Sequence, residues 1–331
     1  MTMRRRAFVA GLGTAAAWPF AAPAQPQPGK SYRIGILEAI PAAQNAANLD
    51  ALRQRLRNLG YIEGHNLVID YRSADGHAER FPELASELVR REVELIVARG
   101  TPAARAAKDA TGTTPGATPV VMATMGDPGA LVENFARPGG NITGVTTFST
   151  ELTAKRVELL HELVPSLARL ALLHNMGNPA VPPEWDEIQT AARSLGLQAE
   201  LLDVRSADDL GRAFERAVRQ RVQGLVIGAD GLLQRHPQTI LDLVARHRLP
   251  AVYPARDFVE AGGLIAYAVN YPDLYARIAR LADKIFKGAK PGDLPVEQPT
   301  TFELVINLRT AKALGLDVPP SFLARADEVI E

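Results

Sequence analysis

The sequence predicts an α/β protein of two similar lobes, each a parallel sheet flanked by helices, joined by a multi-strand hinge. Three observations carry this. Short apolar runs alternate with segments whose apolar residues recur at spacings of three and four, the patterns of strands and amphipathic helices in turn. The alternation runs to about residue 146, then restarts with elements of similar length but no repeated sequence. A Pro/Gly-rich linker finally precedes one more strand and helix. At 331 residues the chain has material for two cores.

The elements follow in order. After a Pro/Gln linker at Gln25–Ser31, Arg33–Leu37 reads as a strand. Leu49, Leu52, Leu56 and Leu59 mark one face of a helix that Gly60 ends. Leu67–Arg72 alternates as a strand, Phe81–Arg91 is helical, and Leu95–Ala98 is a strand. Thr101-Pro102 then opens an alanine-rich helix, with threonine as its cap. The apolar run Pro119–Ala123 reads as a strand buried on both faces. Asp127-Pro128 predicts a short helix ending at the breakers Arg137-Pro138-Gly139-Gly140, and Ile142–Val145 leads out of the lobe.

In the second lobe Glu151–Val164 is amphipathic. Strands follow at Leu170–Leu173, Leu201–Val204, Leu225–Ile227, Ala251–Tyr253 and Leu264–Tyr267. Helices lie between them at Glu184–Ser194, Ala207–Arg219, Gln238–Arg246 and Arg256–Glu260. Asp273–Lys287 is a further helix, Gly288–Pro299 a linker, and Thr301–Asn307 with Thr310–Leu314 a last strand and helix. Residues 31–146 with 270–300 form the first expected lobe, and 147–269 with 301–331 the second. Lobes joined by several crossings open and close about a hinge.

Composition excludes several function classes. Lysine plus arginine balance aspartate plus glutamate at 37 each, so no general field favours nucleic acid. There is no cysteine, which removes disulfides, thiol catalysis and thiolate metal sites. The six histidines show no metal-ligand spacing. No GxSxG elbow or phosphate-binding glycine loop follows a strand, and Asp208-Asp209 are neighbours at a helix start that do not face each other. Neither a cofactor nor catalysis is expected, and the protein is expected to be monomeric.

The first residues read as an export signal. Arg4–Arg6 is a positive region, Ala7–Phe20 an apolar one, and Ala22-Pro23-Ala24 a cleavage site. Arg5-Arg6-Ala7-Phe8-Val9 resembles the twin-arginine pattern; Arg4 stands where that pattern prefers serine or threonine, so general secretory export remains the alternative. A mature periplasmic protein follows, about three charges negative. Gly11–Ala16 matches a loose dinucleotide fingerprint but lacks the strand that must precede it.

Ligands in open α/β sheets sit beyond the carboxyl ends of strands, and that rule selects the candidates. After Leu95–Ala98, Thr101 stands at a helix N-terminus that can hold a carboxylate; the bland reading is a cap without a ligand. Asp127 is better read as a cap. Asn175 follows Leu170–Leu173. Asp230, after Leu225–Ile227, can pair a ligand ammonium or be a turn acid beside Gly231. Tyr253 and Arg256 follow the next strand; Arg256 either clamps an anion or bridges surface acids. Tyr267 either stacks on a ring or packs the hinge.

The chain resembles the ABC-transporter substrate-binding proteins of the TrpX/YtrC-like, type I periplasmic binding group, from the signal to Glu331. The resemblance rests on Leu59–Asn66, on Asp127-Pro128 with Arg137–Gly144, and on Lys155–Leu160. It continues through Phe258–Gly263, Phe302–Leu308 and Arg325–Ile330. It implies two Rossmann-like lobes that close on a small solute, an amino acid or an aromatic or carboxylate compound, and deliver it to an ABC permease. Met176-Gly177 after Asn175, Gly231 after Asp230, and Arg99 where a small residue is common depart from the group's pattern on cleft loops. The alternatives are a receptor of the same fold serving a membrane sensor, and an exported enzyme.

Overall fold

A computed structural model describes residues 29–112, 116–126, 129, 131–147 and 149–331. The export signal and Asp127-Pro128 lie outside the described residues. The first half comprises β1 (Tyr32–Glu38), α1 (Ala46–Asn58), β2 (Leu67–Ser73), α2 (Phe81–Arg90), β3 (Leu95–Arg99), α3 (Thr101–Thr111), β4 (Val120–Met125) and β5 (Ile142–Thr146). Its strands form one parallel sheet in the order β2-β1-β3-β4-β5.

Alternation along these strands builds two cores. Leu95 and Val97 pack on the face covered by α1, whereas Ile96 and Ala98 pack on the face covered by α2 and α3. Strands buried on both sides read as continuous apolar runs. Helix α3 presents Ala103, Ala104, Ala106 and Ala107 to the sheet, and their small side chains let it lie close.

The second half comprises α4 (Ser149–Leu163), β6 (Arg169–His174), α5 (Val181–Ser194), β7 (Gln198–Asp203), α6 (Asp209–Arg219) and β8 (Gly224–Ile227). It goes on through α7 (Gly231–Arg235), α8 (Pro237–Arg246), β9 (Ala251–Tyr253), α9 (Arg256–Glu260), β10 (Ile265–Val269) and α10 (Tyr271–Phe286). It ends with β11 (Phe302–Asn307), α11 (Leu308–Leu314), α12 (Pro320–Leu323) and β12 (Glu328–Ile330). The second sheet runs β12-β11-β10-β9-β8-β6-β7 and is parallel except for the antiparallel β10–β11 pair.

Helix α10 follows β10 in sequence but buries Leu274, Tyr275 and Ile278 in the core of the first sheet, on the same face as α1. The chain thus passes between the lobes after β5, at Asn270, and again before β11. Asn270 caps α10 by accepting the Asp273 N–H at 2.8 Å.

The structure departs from the sequence expectations in several places. Residues 131–137, expected to be helical, are turns and bends that end where Glu133 N donates to Pro138 O. Tyr267, expected at a crossing, lies inside β10 opposite Leu304, and the crossing comes later at Asn270. Helices α7 and α12 and strand β12 were not anticipated.

Each sheet has one point where strand order reverses, between β1 and β3 in the first and between β6 and β8 in the second. Crevices open at the carboxyl ends of strands at such points. There the chain places Glu38 and Arg99 on one lobe, His174 and Asp230 on the other.

Candidate functional site

These four residues line a cavity of about 140 Å³ between the lobes. Thr101 and Asn175 line it as well. Three of the six residues picked from sequence therefore meet in one space: Thr101, Asn175 and Asp230.

Helix α3 points its N-terminus into this space. The sequence expectation made Thr101 its cap, but the cap position is Gly100, at φ 81° and ψ 161°, and Thr101 is the first helical residue. That backbone conformation is open essentially only to glycine. A glycine cap has no side-chain oxygen to accept the first-turn N–H groups, and no side-chain cap bond is present. Pro102 supplies no N–H, so the open first-turn donors are those of Thr101 and Ala103. Gly100, Thr101 and Pro102 line the cavity, which puts the positive end of the helix dipole at its wall. Across the cavity α5 differs, because Asn178 Oδ1 already accepts the Ala180 N–H at 3.1 Å.

Three buried carboxylates line the cavity, and their partners differ. Glu38 accepts from Ala39 N at 2.9 Å and Tyr275 Oη at 3.0 Å, and Arg99 Nη1 approaches it at 3.4 Å. Glu184 meets His174 Nε2 at 3.3 Å and accepts from the Thr153 hydroxyl. Burial pushes the Glu184 carboxyl up, but His174, Thr153 and the Arg156 charge outweigh it and hold it below the ordinary glutamate range. Asp230, 5% exposed, accepts from Leu232 N and Asn178 Nδ2, each at 2.9 Å. No lysine or arginine forms an ion pair with Asp230 among the described residues. A buried charge in that position is costly until a cation joins it.

Asn175 is held by two turns of hydrogen bonding: its N–H donates to His174 Nδ1, and its Oδ1 accepts from Gly177 N, both at 2.9 Å.

The other three candidates lie elsewhere. Tyr253 is fully buried in the second lobe's core, its ring stacked 5.0 Å from that of Phe258 and its hydroxyl without a partner. Arg256 pairs with Glu260, Glu328 and Glu303 at 2.8, 2.6 and 3.5 Å, beside a second, separate cavity. Tyr267 packs against Phe302, and its carbonyl accepts from the buried Arg156 Nε at 2.8 Å.

Sequence reasoning missed Glu38, Gln234 and Tyr271, and treated Arg99 only as an oddity. The strand-end rule reaches Glu38, the last residue of β1, and Arg99, the last of β3. Gln234 sits on the five-residue α7, which has no periodic signal.

Residues 33–330 match the family model described as ABC transporter substrate binding protein. The chain belongs to that family. This binding protein is 24% identical over 289 residues to a tyrosine-binding protein of Clostridioides difficile, covering 87% of this chain and 82% of the relative. Among solved structures, it resembles an ABC domain from Streptococcus pneumonia in complex with L-Trp, with 26% identity and a TM-score of 0.82 over 91% of this chain and all of that one. A conserved domain protein from Vibrio cholerae gives a TM-score of 0.84 at 24% identity, with the same coverage. No helix among the described residues is long and apolar enough to cross a membrane, and no group of side chains among them is arranged to hold a metal ion. The family's work is binding a solute, and the binding protein's cleft is built for that.

Proposed function

We propose that the binding protein is the periplasmic receptor of an ABC importer, and that its lobes close on an amino acid. One observation carries the choice of solute. The open N-terminus of α3 on the first lobe and the unpaired, buried Asp230 on the second face the same cavity. The former attracts a carboxylate and the latter an ammonium, so a zwitterion satisfies both lobes at once.

Such a solute favours the closed form because each end of it contacts a different lobe, which shifts the population toward closure. The lobes are residues 31–146 with 270–300, and 147–269 with 301–331. The tyrosine-binding relative and the L-Trp complex support an amino acid as the solute class. The leader at residues 1–24 would direct export, and an ABC permease would receive the closed form; the chain works by binding, without catalysis.

A thermal-shift panel tests this. An amino acid raises the stability, and with it the melting temperature, as the logarithm of one plus its concentration over Kd, while the amine and the acid obtained by removing either charged group raise it far less. Equal shifts from either single-charge analogue would refute the zwitterion reading.

A further inference from the structure

Arg99 stands between two cavities. Arg99 is 9% exposed, and its guanidinium donates from Nη2 to Gln234 Oε1 at 2.8 Å and lies over the Tyr271 ring, 4.8 Å from its centroid. Arg99 belongs to the first lobe, Gln234 to the second, and Tyr271 to the start of α10. Glu38 fixes the guanidinium from behind, itself held by Ala39 N, Tyr275 Oη and, at 3.3 Å, Asn45 Nδ2. Burial works against the charge on Arg99, but the Glu38 carboxylate outweighs it and holds the group above its ordinary range.

Arg99, Gln234 and Tyr271 all line the cavity that holds Thr101 and Asp230, and all three also line a second cavity of about 410 Å³. The second space lies between the lobes too, with Ile40, Phe258 and Val269 among its apolar walls. It is the larger of the two, yet the α3 N-terminus and Asp230 open only into the smaller.

We propose that the Arg99–Gln234 bridge is a wall that sets the size of the solute. It confines the solute to the small chamber and closes the larger one to it. This rests on the amino-acid reading above and narrows it: the preferred solute has a short side chain rather than an aromatic one. The volumes support the narrowing. An engineered cavity of about 150 Å³ takes benzene, and tyrosine and tryptophan carry about twice as many heavy atoms. With the wall removed, the chambers merge, and the apolar second space becomes a side-chain pocket.

The test is calorimetric titration of the wild type and two variants. Gln234→Ala removes the second lobe's half of the wall and leaves the Arg99–Glu38 pair in place. The double variant Arg99→Ala with Glu38→Gln removes the first lobe's half without stranding a buried carboxylate. The titrants cross head group (amino acid, amine, carboxylate) with size: alanine and serine and their analogues against tyrosine and tryptophan and theirs.

The size axis tests the wall, and the head-group axis tests the zwitterion reading, so either can fail alone. In the wild type, the compact member of whichever head-group class binds is at least tenfold tighter than the aromatic one. At least one variant shifts that ratio tenfold or more toward the aromatic member. A wild type that binds tyrosine or tryptophan as tightly as alanine or serine overturns the wall, as does a ratio unmoved in both variants.

Discussion

Gly231→Ala should block closure without harming either lobe. Gly231 opens α7 on the second lobe, and a Cβ built there falls 2.3 Å from Ala39 Cβ on the first. Carbon atoms sit comfortably at about 3.5–4.0 Å, so the lobes must part by more than about an ångström along that line. Overpacking of this kind costs about 1–3 kcal/mol, which weakens the apparent Kd about five- to 150-fold. Opening the hinge relieves the clash, so the cost appears in binding rather than in folding. In the solute-free protein the alanine instead favours the helix, by about 0.4–1 kcal/mol. Gly211→Ala is the control, because nothing lies within 4 Å of a Cβ there: it brings the helix gain and leaves binding alone. Titration calorimetry with melts of the solute-free proteins separates the two effects. A Kd for Gly231→Ala within twofold of wild type would refute the claim that binding requires these surfaces to meet.

Three further outcomes follow from the same geometry. Asp230→Asn keeps the helix-cap acceptor but removes the charge and turns an NH2 toward Asn178 Nδ2; amino-acid affinity should fall about ten- to 150-fold, while the solute-free protein loses about 1–3 kcal/mol for that one lost acceptor, and a loss of stability with no loss of affinity would make Asp230 structural. Glu184→Gln should cost up to about 3–5 kcal/mol at neutral pH by taking away the buried carboxylate that His174 meets at 3.3 Å and that the nearby Arg156 charge also feels; because the Glu184 carboxyl is held below its ordinary range, that stability is present at neutral pH and lost as pH falls through the lowered pKa. Denaturant titrations should therefore show the wild type and the variant converging in acid, and parallel curves at all pH would contradict this. Tyr253→Phe removes a buried hydroxyl with no partner and should leave binding unchanged and stability equal or higher by up to about 1–3 kcal/mol; weakened binding would return Tyr253 to the site.

Much of the fold was legible because its strands are buried on both faces. Leu95–Arg99 and Val120–Met125 needed only the length of an apolar run to be recognised. Strand β12 was not, since Glu328–Ile330 is three residues long, partly exposed, and held by pairing with β11. The antiparallel turn of β11 onto β10 likewise depends on contacts distant in sequence. The site was legible to the extent that it follows from strand ends. That rule reaches Thr101, Asn175 and Asp230, but it assigns a loop and not a direction. Tyr253 ends its strand as expected, yet its ring turns into the core against Phe258, and Arg256 turns to the acids of α9, β11 and β12. The Arg99–Gln234 bridge joins residues 135 positions apart on different lobes, and no local pattern announces such a pairing.

Small-angle X-ray scattering during a titration tests most directly whether a molecule bearing both charges draws the lobes together. The radius of gyration should fall on adding a compact amino acid and stay constant with its amine or acid analogue at the same concentration. Equal compaction by a singly charged analogue, or none with any amino acid that calorimetry shows to bind, would contradict the account.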